Sequence, residues 1–260
     1  MSNISPLAVV SPKAQIGDNV TIGPFTVVHD DVIIGDGTVI ENSVSIFDGA
    51  RIGKNCHIFP YASIAAVPQD LKFKGEYTTV KIGDNNVLRE CVTVHRATAS
   101  KLKTIIGNNN LIMAYCHVAH DCTLGNNIIM SNATQLAGEV IVDDCAVIGG
   151  GSLVHQFVHF GAYAMLQGGS RLVKDLPPYC MAGREPVSYA GINLVGLRRR
   201  GFNADQIHNI QDIYRVIFQG DKNTTQALEE ITANFEETPE REEILRFIRN
   251  ASRGIIKGYN

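Results

Sequence analysis

Along residues 4–172 a large apolar residue returns at every sixth position, and the residues between are mostly small or polar. The series begins Ile4, Val10, Ile16, Ile22, Val28 and continues through Ile106, Ile112, Val118, Leu124, Met130 and Leu136 to Leu172. Of its 29 places only Asp70, Glu76 and Ser100 lack a large apolar side chain. A period of six is too short for a helix hairpin or a propeller blade. It predicts a hexapeptide β-helix, in which each hexad makes one short face and about three hexads make a coil. About nine to ten coils follow from that length. Gly, Asn or Asp commonly follows the apolar residue, as in Gly107-Asn108-Asn109 after Ile106, and is expected to take tight or left-handed backbone at the corners. The spacing leaves the hand of the coil open.

The three failures cluster in residues 65–81 and 96–104, and the hexad phase resumes unchanged after each. Two excursions looping out of the solenoid would do this, and loops on a rigid scaffold commonly carry binding groups. Beyond Leu172 the pattern changes. Asp175-Leu176-Pro177-Pro178 and Gly183-Arg184-Glu185-Pro186 read as turns that end the solenoid. Asn203 and Gln206 suit a capping box opening a helix through Phe218, Thr224–Phe235 suits a second helix, and Thr238-Pro239 a third. The expected organisation is a mainly β solenoid domain over 1–189 and a helical domain over 190–260.

Composition narrows the class. With 45% hydrophobic and 19% charged residues, no Trp and a net charge of −3, the chain is an ordered protein without the charge bias that nucleic acid or a membrane surface attracts. The first residues lack a secretory signal and no apolar run reaches the length of a membrane span, so cytoplasmic residence is expected. The six cysteines include no Cys-x-x-Cys pair, and Cys56, Cys116 and Cys122 share one hexad place otherwise filled by small residues. They read as buried, reduced thiols.

Candidate chemistry concentrates at His120-Asp121. An imidazole of ordinary pKa near ~6.5 can accept a hydroxyl proton at neutral pH, and a carboxylate beside it can fix its tautomer. A solvated surface histidine is the alternative. His95, His117 and His155 also fall at expected corners, which raises a zinc site; the thiols flanking His117 and His120 fit the core pattern instead. Lys72, Lys74 and the triplet Arg198-Arg199-Arg200 offer cations for phosphates or an acidic partner.

These residues carry a specific resemblance. The runs Gln69-Asp70-Leu71-Lys72, Thr93-Val94-His95-Arg96, His117-Val118-Ala119-His120-Asp121-Cys122, Leu136-Ala137-Gly138, Val154-His155-Gln156-Phe157 and Leu197-Arg198-Arg199-Arg200-Gly201-Phe202 are similar to those of the UDP-N-acetylglucosamine 3-O-acyltransferases. That family begins lipid A synthesis in Gram-negative bacteria, and the likeness covers essentially the whole chain. It implies a left-handed parallel β-helix with a C-terminal α-helical domain, assembled as a homotrimer with active sites in clefts between subunits. His120 would be the general base, supported by Asp121, with the Gly138 N–H as oxyanion donor. Gln69, Asp70, Lys72, His95, His117, His155 and Gln156 would hold the sugar nucleotide. Asn193, Arg199 and Arg200 would serve its nucleotide end and the carrier protein, and Gly168 would set the acyl length. The partners implied are UDP-N-acetylglucosamine and a 3-hydroxyacyl chain on the phosphopantetheine of acyl carrier protein, with no metal and no other cofactor. Related hexapeptide acyltransferases that acylate a C3 amine, or act later in the same pathway, share much of this pattern. Two residues depart from it: Glu139 stands where relatives often carry histidine, and Val195 where they carry glutamate.

Overall fold

The computed structural model describes residues 2–258; Met1, Tyr259 and Asn260, the outermost residues of the two expected domains, lie outside the described residues. The architecture is the expected left-handed parallel β-helix followed by helices. Its three sheets hold 11, 9 and 8 strands, nearly all two to four residues long. Residue partners lie 18 positions apart, as in Ile4 with Ile22 and Val9 with Val27. The hexad apolar side chains point inward and fill the core in layers, with Ile22, Ile40, Ile58, Leu88, Ile112 and Met130 at most 1% exposed. Main-chain bonds run from coil to coil along each sheet, as from His117 N to Thr134 O at 2.9 Å.

The excursions keep the phase for a simple geometric reason. Ile52 pairs with Ile82 and Ser63 with Thr93, so that coil holds 30 residues; Thr79 pairs with Lys103 and Thr93 with His117, so the next holds 24. Two extra hexads leave the first coil and one leaves the second.

The corners differ from the sequence expectation. Gly107, directly after Ile106, is needed for close approach: a Cβ there would overlap the Gly125 carbonyl oxygen of the next coil. The left-handed residue falls two places further on, with φ of 57° at Asn109 and 56° at Asn127. Tyr115 (62°) and Glu139 (61°) take the same conformation without being Gly or Asn. Coil stacking therefore overrides local preference there. Inside the corners buried Asn86 and Asn110 donate from Nδ2 to Gly107 O and Gly125 O, and accept from the N–H of Asn110 and Ile128.

The solenoid does not end at Asp175. Leu176 bridges to Phe160, and strand Cys180–Gly183 pairs in parallel with Met165–Leu166, 16 residues back. Two residues are missing from this coil, so the inward places become Leu176 and Ala182, both 0% exposed, and the period-six search loses them. Strand Ser188–Ile192 then closes the sheet antiparallel to Cys180–Gly183, across the expected 189/190 boundary.

Four helices follow. α1 (Leu194–Arg199) escaped the sequence search because six residues give too short an apolar period. α2 (Ala204–Gln219) starts at the expected Asn203–Gln206 capping box, α3 (Thr224–Asn234) has a second box from Asn223 and Gln226, and α4 (Pro239–Arg249) starts at Thr238. They pack on the last coils through Tyr214, whose hydroxyl donates to Pro178 O at 2.6 Å, and through stacked Tyr189 and Phe218. All six cysteines are free thiols, and only Cys91 is not buried.

Gly107→Ala should destabilise the fold by about 1–3 kcal/mol, the usual cost of forcing a methyl into a packed site. Urea unfolding followed by far-UV circular dichroism measures it; an unchanged midpoint would mean that neighbouring coils separate freely.

Candidate active site

His120 sits two places beyond the inward Val118, at the corner where the chain leaves the second sheet, and Asp121 follows with φ of 62°. This backbone turns the Asp121 carboxylate back under the imidazole. His120 Nδ1 lies 2.8 Å from Asp121 Oδ2. An ionised carboxylate can only accept, so Nδ1 carries the proton and the Nε2 lone pair is left for other use.

Asp121 is fully buried and has further partners. Its oxygens accept from Thr98 N at 3.1 Å, Thr98 Oγ1 at 2.7 Å and Lys101 N at 3.1 Å, while its own N–H donates to Thr104 Oγ1 at 2.9 Å. The second excursion is therefore hung on the carboxylate that orients His120. Thr98, Thr104 and the Lys101 backbone were not singled out by sequence, where nothing marks a threonine or a main-chain N–H as a partner.

The imidazole lies flat against Gly138 of the next coil, where a Cβ would overlap Cε1 and Nε2. Glu139 N donates to His120 O at 3.0 Å, whereas the Gly138 N–H finds no main-chain acceptor among the described residues. The departure at Glu139 is partly answered by Lys101, whose Nζ stands 3.9 Å from its carboxylate.

His120 opens into a cleft of about 720 Å³ that also takes in Gln69, Asp70, Lys72, His95, His117 and Gln156. The first excursion supplies one wall. Asp70 Oδ1 accepts from Lys72 N at 2.9 Å, and Asp70 Oδ2 stands 3.9 Å from His120 Nε2, too far for a direct hydrogen bond. The second sheet supplies the floor, with His95 and His117 on successive coils and ring centroids 4.7 Å apart. His117 therefore lies on a strand face, not at a corner, because it directly precedes inward Val118. Its Nδ1 is 2.7 Å from Thr93 Oγ1. Burial, followed by its neighbours His117 and His120, pushes the His95 pKa down to about 4; burial, then His120, pushes His117 down as well. Both rings are held neutral at physiological pH, as polar groups without charge.

The remaining candidates lie outside the cleft. His155 is exposed and its Nδ1 faces the Gln156 carbonyl at 3.0 Å. Gly168 packs against Gly150 of the preceding coil at a different corner. Asn193 caps α1, accepting from Gly196 N at 3.2 Å and donating to Tyr163 O at 2.9 Å, so its amide is already engaged. Arg199 and Arg200 end the same helix, and Arg200 reaches Asn127 O at 3.3 Å. Val195 is exposed on its first turn. Gln135 and Leu153 complete the cleft without having been foreseen, each being the outward neighbour of an inward hexad residue.

Comparison with known proteins is consistent across the chain. Residues 175–256 match the model described as UDP N-acetylglucosamine O-acyltransferase, domain 2, and residues 4–48 and 103–134 match the bacterial transferase hexapeptide repeats. The chain is 52% identical to an acyl-[acyl-carrier-protein]–UDP-N-acetylglucosamine O-acyltransferase of Alkalilimnicola ehrlichii, over 99% of this chain and 100% of that protein. Its structure superposes on a UDP-N-acetylglucosamine acyltransferase from Bacteroides fragilis with a TM-score of 0.96 and 53% identity, covering 97% and 99% of the two chains. The Francisella novicida UDP-N-acetylglucosamine acyltransferase gives 0.96 and 40%, covering 99% and 95%.

The neutral histidine floor has a stability signature. His95 titrates near its ordinary ~6.5 when unfolded and at about 4 when folded, so the unfolded chain binds more protons between these values. Its contribution is fully present above ~6.5 and is lost as pH falls toward 4. Replacing it with Gln should flatten the decline of the urea midpoint across that window; a parallel decline in wild type and His95→Gln would contradict the buried neutral state.

Proposed function

The chain belongs to the acyl-[acyl-carrier-protein]–UDP-N-acetylglucosamine O-acyltransferase family, and from that footing we propose how its own residues carry the reaction. It transfers an acyl group from acyl carrier protein to UDP-N-acetylglucosamine in lipid A biosynthesis. The acyl group we assign is 3-hydroxyacyl and the acceptor is the sugar 3-hydroxyl. His120 Nε2 takes the hydroxyl proton while the sugar oxygen attacks the thioester carbonyl. Negative charge gathers on the former carbonyl oxygen and accepts a hydrogen bond from the Gly138 N–H. Collapse forms the ester and breaks the carbon–sulfur bond, and the proton on Nε2 passes to the departing thiolate. Asp121, acting through Nδ1–H, holds the ring and stabilises the imidazolium. The observation that carries this assignment is the 2.8 Å His120–Asp121 contact, which leaves Nε2 basic.

Asp70, Lys72 and Gln69 are assigned to the sugar nucleotide from the loop side, and His95, His117, His155 and Gln156 from the solenoid side. Asn193, Arg199 and Arg200 are assigned to the nucleotide and carrier end, and Gly168 to the acyl chain. We propose that these reach the cleft from a neighbouring subunit of a homotrimer. The second sheet and its adjoining corner expose Val9, Phe25, Tyr61 and Tyr115 on successive parts of the solenoid and Leu153 in the cleft itself, apolar surface that supports such an interface. No helix among the described residues is long and apolar enough to cross a membrane; residence in the cytoplasm, where carrier-bound acyl chains are made, completes the proposal.

A mass-spectrometric assay of UDP-N-acetylglucosamine with carrier proteins bearing 3-hydroxyacyl chains of several lengths tests reaction and chain length together. His120→Ala should lower turnover by at least ~10², the scale of losing a general base, without altering the circular dichroism spectrum. Near wild-type turnover would sink the assignment, and acylation only of a 3-amino analogue would move the acceptor to the amine.

A further inference from the structure

The two oxygens of Asp121 are held differently. Oδ1 accepts from two main-chain donors, Thr98 N and Lys101 N, each at 3.1 Å. Oδ2, the oxygen 2.8 Å from His120 Nδ1, accepts from Thr98 N at 3.1 Å and from the Thr98 hydroxyl at 2.7 Å. That hydroxyl also accepts from Ser100 N at 3.2 Å. It has one proton to give and an ionised carboxylate has none, so the Oγ1 proton lies toward Oδ2 and a lone pair toward Ser100. The direction of the hydroxyl is thereby set from both sides.

Fastening the loop does not call for this bond. The second excursion is already held to Asp121 by the two amides, and to the first excursion by Ala99 N donating to Glu76 Oε1 at 2.9 Å. What the hydroxyl adds is a hold on the one oxygen that meets the imidazole. The last torsion of an aspartate side chain has a broad energy profile and is fixed mainly by its hydrogen bonds. Rotation there would carry Oδ2 away from Nδ1 and release the ring. Asp121 is fully buried and Thr98 is 7% exposed, which leaves little room for water to replace the hydroxyl. A hydroxyl donating to a carboxylate is among the stronger hydrogen bonds available to a side chain.

We propose that Thr98 is a positioning residue for acyl transfer: its hydroxyl fixes Asp121 Oδ2, and through it the direction in which His120 presents Nε2 to the cleft. This rests on the assignment of His120 as general base. Thr98 is absent from the residues lining the cleft, so its contribution belongs to the proton-transfer step and not to the binding of either substrate.

Steady-state kinetics of the full chain with UDP-N-acetylglucosamine and a 3-hydroxyacyl carrier protein test this. Thr98→Val keeps the shape and the main-chain donor but removes the hydroxyl, whereas Thr98→Ser keeps the hydroxyl. The valine variant should lose about tenfold in kcat, the scale of one hydrogen bond to a charged group. Its KM for each substrate should stay within about twofold of wild type. Thr98→Ser should recover most of the lost kcat. Placed on a His120→Ala background, Thr98→Val should cost nothing further, because the group it acts through is gone. Unchanged kcat in Thr98→Val, a serine variant as slow as the valine one, a loss confined to KM, or a full additional loss on the His120→Ala background would each overturn the proposal. Full turnover in His120→Ala alone would instead remove the general base and the role of Thr98 with it, so the two failures are read from different variants. Should circular dichroism show that Thr98→Val does not fold, Thr98→Ala carries the same comparison.

Discussion

Each coil must return to the same three faces with its inward residue over the one below, and this stacking constraint governs the rest of the molecule. Both excursions add whole hexads and so keep the inward series in phase, with coils of 30 and 24 residues among coils of 18, whereas the last coil of 16 keeps the stacking and shifts the phase. The same constraint sets corner chemistry. Gly107 follows Ile106 because the next coil's main chain occupies the space a side chain would need. Tyr115 and Glu139 accept positive φ because a rigid stack of parallel ladders on either side allows no other path.

On that scaffold the candidate site is assembled by carboxylates fastening loops. Asp121 binds the ring of His120 and three donors of the second excursion at once. Glu76, in the first excursion, accepts from Ala99 N of the second at 2.9 Å and from Lys74 N at 2.8 Å. The wall carrying Asp70 is thereby joined to the segment that steadies His120. Lys101 and Glu139 add a contact from the second excursion to the corner behind Gly138. Loop and coil positions are coupled through a few charge-assisted bonds, which hold geometry more tightly than neutral ones.

How much of this was legible follows from the kind of signal each feature leaves. The inward series from Ile4 to Leu172 is periodic and was read directly, as were the starts of α2 and α4, whose caps are local. His120-Asp121 was visible as a histidine followed by a carboxylate in a run with His117, although the dipeptide alone recurs at His29-Asp30. The final coil was not, since losing two residues moved its core to Leu176 and Ala182, out of phase. Nor could Thr98 be found: it meets Asp121 across 23 positions through a loop whose path is set by packing. The misplacement of His117 at a corner arose from position counting; it borders the inward Val118 on the strand itself.

Three imidazoles within one small region stand in different surroundings. His95 and His117 meet edge to face on the cleft floor; burial, then His117 and His120, opposes a proton on His95, and burial, then His120, opposes one on His117. His120, one corner away, has Asp121 Oδ2 2.8 Å from Nδ1, a contact neither floor histidine has. Three residues of one coil separate His117 from His120, because the floor histidines project from the strand and its immediate end, whereas His120 projects from the turn whose left-handed next residue folds a carboxylate beneath it. The repeat thus supplies residues of one type in two electrostatic settings, and the position within the hexad decides which of them has a carboxylate folded against its ring.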